Sequence, residues 1–131
     1  LPSDYLSRVE RQTTRPLVVF AAYPSSGFQA GPLIFSSSEA SQFNYLAFLF
    51  ERAEEADVDY IVWDYPYDIS QRLEELCPGR LGVANSACEQ ATLFDRWRPH
   101  AASGLLDGTG QPKPSATLWN DFFARVYLAS E

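Results

Sequence analysis

At 131 residues the chain can hold one domain with one modest core, and a hydrophobic content of 46% with 15% aromatics excludes a disordered polymer. The net charge of −7, from 17 acids against 10 bases, argues against a nucleic-acid partner, and no basic cluster offsets it. No stretch approaches the roughly 20 apolar residues that span a bilayer, so no membrane partner is expected.

The chain opens Leu1-Pro2-Ser3-Asp4, without an initiator Met, and reads as a helix start within a longer polypeptide. Ser3 or Asp4 is expected to cap a short helix to about Gln12, with Tyr5, Leu6 and Val9 inward. Thr13 to Pro16 ends it. Leu17 to Tyr23 is a run of seven apolar residues with no polar alternation, which predicts a strand buried on both faces, as in a parallel sheet. It breaks at the turn cluster Pro24-Ser25-Ser26-Gly27. A long loop from Pro24 to Ser37, carrying Phe28, Leu33, Ile34 and Phe35, is expected to wall a site at the strand end. No Asp or Glu occurs from Pro16 to Ser38.

Ser36-x-x-Glu39 reads as a capping box for the strongest helix, Glu39 to Ala56. Phe43, Leu46, Ala47, Phe50 and Ala53 recur at helical spacing as its buried face. Tyr60 to Tyr65 predicts a second strand, stopped by Pro66. Asp68, three residues before Gln71, reads as the N-cap of a helix to about Leu76. Cys77 and Cys88 flank a loop rich in small residues. They are either two free thiols or a disulfide worth roughly 2–3 kcal/mol of loop entropy. Two Cys and a distant His100 do not match a zinc spacing, so no metal and no cofactor is expected. Glu89 to Trp97 is expected as a further short helical piece, and Ala101 to Gln111 is turn-rich. The last helix is expected over about Ser115 to Ala129, with Trp119, Phe122, Phe123, Val126 and Tyr127 on one face. Nine of the ten bases are Arg; the single lysine, Lys113, reads as a bias of the source genome.

The order predicts an α/β fold of two βα units behind a leading helix. Two doubly buried parallel strands cannot complete a sheet, and a whole (β/α)₈ barrel takes about 250 residues. The expectation is the last two βα units of a TIM barrel, with the N-terminal part of that barrel as a partner outside the chain.

Several segments resemble the C-terminal part of clan-A glycoside hydrolase barrels, the group of the β-glucanases and endo-galactanases. Tyr23-Pro24-Ser25-Ser26-Gly27 is similar to the segment after their seventh strand. Ser38-Glu39-x-x-Gln42-x-x-Tyr45-Leu46 is similar to the start of their seventh helix. Ile61-Val62-Trp63 with Asp64-Tyr65-Pro66-Tyr67-Asp68 resembles their eighth strand and its substrate-facing end. Gly104-Leu105-Leu106-Asp107-x-x-Gly110-x-Pro112-Lys113-Pro114 resembles the approach to their eighth helix.

The resemblance implies a carbohydrate ligand at the carboxyl ends of the strands, and secretion. In those families the seventh strand supplies a nucleophilic Glu; aligned on Tyr23-Pro24, that position is Phe20. Retaining hydrolysis needs two carboxyls about 5–5.5 Å apart, and a phenyl ring can neither attack an anomeric carbon nor stabilise a cation as an anion does. The expectation is therefore carbohydrate binding without ordinary retaining catalysis.

Trp63 is the expected stacking platform, against a core-Trp alternative. Tyr23, Ser25, Tyr65 and Tyr67 are the expected polar and aromatic cleft residues. Asp64 is a candidate either to hydrogen-bond sugar hydroxyls or to serve as a replacement catalytic carboxylate; that acid, or one from strands outside the chain, would make an active O-glycosyl hydrolase. A third reading is a barrel kept for assembly, with no ligand. Ser25 and Ser26 are poor nucleophiles, because no Gly-x-Ser-x-Gly elbow is present and His100 lies in another segment. His100 is expected at the surface or in a turn.

Overall fold

A computed structural model describes residues 2, 4–30, 32–69 and 100–125. Residues 70–76 of the helix expected after Asp68, the helix expected over 89–97, the pair Cys77 and Cys88, and the end of the last helix from 126 onward lie outside those residues. The elements run α1 (Tyr5–Glu10), β1 (Val18–Ala21), β2 (Phe28–Ala30), β3 (Leu33–Phe35), α2 (Glu39–Glu55), β4 (Tyr60–Trp63) and α3 (Pro114–Phe123).

β1 and β4 pair in parallel, with Val18 opposite Tyr60, Phe20 opposite Val62 and Ala21 opposite Trp63. β2 and β3 form a separate antiparallel hairpin, Phe28 opposite Phe35. The expected barrel segment is thus corrected. The described residues hold three helices and two separate two-stranded sheets, a mixed α/β arrangement and not two units of a (β/α)₈ barrel.

The physical reason lies in the apolar run of β1. It was expected to be buried on both faces, but only alternate side chains are covered. Val19, Ala21, Ile61 and Trp63 turn toward the helices. On the other face Val18, Phe20, Tyr60 and Val62 stay exposed, Phe20 at 70% and Tyr60 at 66%. The segment expected as a loop wall instead spends part of its length on the hairpin, tied back by Ser37 Oγ donating to Pro24 O at 2.5 Å.

α2 is the framework of the core. Its N-cap is Ser38 rather than the expected Ser36: the Ser38 hydroxyl accepts from Ser41 N at 3.1 Å. Its buried face is Gln42, Leu46, Leu49, Phe50 and Ala53, rotated slightly from the expected set, with Phe43 and Ala47 at its margin. Phe50 stacks on Phe122 of α3 with ring centroids 3.8 Å apart.

α2 ends in a Schellman turn. Val58 N donates to Ala53 O, and Asp57 takes the left-handed conformation at φ 46°, which Asp tolerates better than most residues. Asp59 then ties the start of β4 to β1, its carboxylate accepting from Leu17 N at 2.7 Å. α1 is shorter than expected and has no buried residue. Asp4 pairs with Arg8 at 2.8 Å and makes no cap bond.

Candidate functional site

The carboxyl ends of β1 and β4 lie side by side, because Asp64 N continues the ladder to Ala21 O at 3.0 Å. Beyond them, residues 23–25, 64–68 and 102–106 are bound together by one side chain, Lys113. Its Nζ donates to Asp68 Oδ1 at 2.6 Å, Ser25 Oγ at 2.7 Å and Gly104 O at 3.0 Å. The Lys113 side chain is 4% exposed and that of Asp68 is 11% exposed. Ser25 donates in turn to Ala102 O at 2.9 Å, and Gly104 N donates to Asp68 Oδ1 at 2.9 Å. Gln42 reaches in from α2, its Nε2 donating to Tyr23 O at 2.7 Å and to Gly104 O at 3.2 Å.

This hub settles what two of the expected residues do. Ser25 sits 2.7 Å from an amine, but it accepts from that amine and gives its own proton to a carbonyl. Lys113 spends its three hydrogens on acceptors and has no lone pair to take a proton from Ser25. The pair is a brace, not a nucleophile and base. Asp68, read from the sequence as a helix cap, is the counter-ion of Lys113 and the acceptor for Gly104 N.

Trp63 is 8% exposed and belongs to the core, its Nε1 donating to Ser103 O at 2.8 Å and its ring edge-on to Trp119. It leaves no face on which a sugar could stack. Trp63→Phe is expected to cost about 1–3 kcal/mol, chiefly from the lost Nε1 hydrogen bond, seen as a lower urea midpoint with unchanged m-value.

Tyr23 is half-buried, stacked on Tyr45 at 4.6 Å, and packs rather than opens to solvent. Burial, with Tyr23 nearby, pushes the Tyr45 phenol up from its usual range. Tyr65 lies against His100, ring centroids 5.3 Å apart, while Tyr67 is 52% exposed. Burial and then the Asp64 charge push the Tyr65 phenol up from its usual range.

No family model, curated protein or solved structure matches the chain. The site therefore has to be read from its own chemistry. Among the described residues no group of His, Cys, Asp or Glu could hold a metal ion, and no helix is long and apolar enough to cross a membrane.

Among the described residues, Asp64 and Phe20 are exposed at the carboxyl end of the parallel pair. Asp64 is exposed, and no ion pair or hydrogen bond reaches its carboxylate from the described residues. Phe20 is the most exposed aromatic side chain among the described residues. By strand alternation Phe20, Val62 and Asp64 point to the same outer side of the parallel pair. Asp64 lies two residues beyond Val62, the partner of Phe20. With strands about 4.8 Å apart and a rise of about 3.3 Å per residue, the two Cβ atoms are about 8 Å apart. A separate apolar groove of about 130 Å³ lies between α1 and α2, lined by Tyr5, Leu6, Tyr45 and Phe48.

Sequence reasoning missed Lys113, Gln42 and Ser103. For Lys113 a signal was present: it is the lone lysine of an arginine-rich chain, and it sits between two prolines.

Proposed function

We propose that the chain binds carbohydrate on the outer face of the parallel pair at its carboxyl end, without two-carboxylate hydrolysis. The observation that carries this reading is the pairing of an exposed phenyl, Phe20, with an uncommitted carboxylate, Asp64, across neighbouring strands. Sugars present an apolar C–H face and a polar rim. An exposed phenyl takes the first, and a carboxylate about 8 Å away accepts hydroxyls from the second. Tyr65 and Tyr67 lie next along the chain, and the exposed Tyr67 offers a further hydroxyl.

The same geometry argues against hydrolysis by the usual route. Of the two acids near the strand ends, Asp68 is held by Lys113 and Gly104 N. Position 20 is a phenyl. Among the described residues at the strand ends one carboxylate is left, where acid and nucleophile need two. The short segments that resemble glycoside hydrolases support a sugar as the ligand class.

Titration with neutral mono- and oligosaccharides tests this reading. Phe20→Ala is expected to weaken binding about tenfold, the equivalent of one aromatic contact. Because Phe20 is 70% exposed, the melting temperature should hardly move. Equal binding by wild type and Phe20→Ala overturns the assignment.

A second reading has its own observation. Val18 and Tyr60, at the amino end of the same face, are apolar or aromatic and exposed, which suits a protein surface. Loss of a self-association signal in Tyr60→Ser, with no sugar binding by wild type, would favour it.

A further inference from the structure

We infer that a cavity at the amino end of the parallel pair is a binding site for an alkylguanidinium, the group that ends an arginine side chain. It lies at the opposite end of the strands from Asp64 and does not depend on the carbohydrate reading.

The cavity holds about 210 Å³ and opens between the last turn of α2, the start of β4 and the last turn of α3. That is below the roughly 300–1,000 Å³ of a drug-sized site, so it takes a group the size of one side chain. Its walls are of two kinds. Ile61, Phe122 and Phe123 make an apolar floor, and Phe123 is 44% exposed, which leaves an aromatic ring open to an occupant. Glu54, Asp57 and Asp59 stand around that floor. An occupant that satisfies both is apolar along its stem and cationic at its tip.

The chain itself shows which cationic tip fits. Beside the cavity the guanidinium of Arg125 lies over the Phe122 ring, its central carbon 4.8 Å from the centroid, and its Nη1 meets Glu54 Oε1 at 2.6 Å. One aromatic wall and one carboxylate of the cavity thus already hold a guanidinium. The other two acids are not neutralised. Asp59 accepts from Leu17 N with one oxygen, Oδ2, and no ion pair reaches Asp57 or Asp59 from the described residues. A guanidinium suits them better than an ammonium. It pairs with carboxylates through two parallel N–H groups, stacks on aromatic rings and is more weakly hydrated.

n-Butylguanidinium, n-pentylammonium and n-pentanol have similar stems and separate the ideas. Titrated into the full chain at low salt and followed by amide NMR, the guanidinium is expected to bind about tenfold tighter than the alcohol, the sum of one cation–π contact and one exposed ion pair. The ammonium should fall between them. Shifts should centre on Val58, Ile61 and Phe123. Asp57→Asn is expected to weaken the guanidinium about threefold and leave the alcohol unchanged. Asparagine tolerates the left-handed backbone of position 57, so the turn holds. Arg125→Ala is expected to strengthen the guanidinium about threefold, because it frees Glu54. N-acetylarginine amide carries the same tip on a peptide unit. If it binds as well as n-butylguanidinium, the site accepts an arginine of a partner chain; if only the butyl compound binds, the site is one for a small molecule. Equal affinity for the guanidinium and either of the other two compounds, shifts centred outside the cavity, or a preference unmoved by both variants overturns the assignment.

Discussion

Replacing Lys113 with methionine is expected to cost the fold about 3–5 kcal/mol, the range for removing one partner of a buried ion pair. Domains of this size are stable by about 5–15 kcal/mol, so the variant should lie near the edge of folding. The loss is large because methionine fills the volume but leaves the largely buried Asp68 carboxylate without its counter-ion, held by Gly104 N. Ser25 Oγ and Gly104 O lose a donor at the same time. Three segments distant in sequence meet at this ammonium, so the loss should propagate to the Ser25–Ala102 link and to the end of β1.

The double variant Lys113→Met with Asp68→Leu is the control. Removing both charges is expected to recover part of the stability, since an apolar pair needs no desolvation of ions. Urea midpoints for wild type, both single variants and the double variant give the coupling directly. A Lys113→Met shift below about 1 kcal/mol would mean that the pair is solvated, as surface pairs are.

Gly104→Ala should be as damaging, for a different reason. A Cβ at position 104 would overlap the carbonyl carbon of Tyr67 and the amide nitrogen of Asp68, and would lie 2.6 Å from Leu106 O. All three are backbone atoms, so no side chain can swing away. The segments would have to separate, breaking Leu106 N to Pro66 O at 2.9 Å and Asp68 N to Leu106 O at 3.0 Å. The expected cost exceeds about 4 kcal/mol, in the upper tail of single substitutions. Gly110→Ala offers a calibrated comparison. Gly110 has φ +86° but only Tyr67 Cε1 near, at 3.9 Å. Its cost is conformational strain alone, about 1–2 kcal/mol.

How much of this was legible in the residues depends on the kind of signal. α2 was legible almost to its ends, because its 3.6-residue periodicity and a serine cap are local features. Both parallel strands were placed, though longer than they are. What the run Leu17 to Tyr23 could not reveal is which faces are covered. With every position apolar there is no alternation to read, and burial was settled by a helical layer on one side only. That single ambiguity led from a two-stranded pair to a barrel.

The hairpin was hidden for a related reason. Its strands are three residues each, too short for a period-2 pattern, although Gly31-Pro32 marks a turn between them. At the candidate site Asp64 and the tyrosines were singled out from the sequence, but Trp63, expected as a platform, lies in the core, while Phe20, expected at the nucleophile position, lies in solvent. Adjacent positions on paired strands swap faces with a one-residue change of phase, which composition cannot fix.

The most direct test of the carbohydrate reading is an amide and side-chain NMR titration of the full chain with the oligosaccharide series. The account predicts shifts concentrated at Phe20, Val62, Asp64 and Tyr67, and none in the groove of Tyr5 and Phe48. Shifts confined to that groove, or none at any sugar concentration, would contradict it.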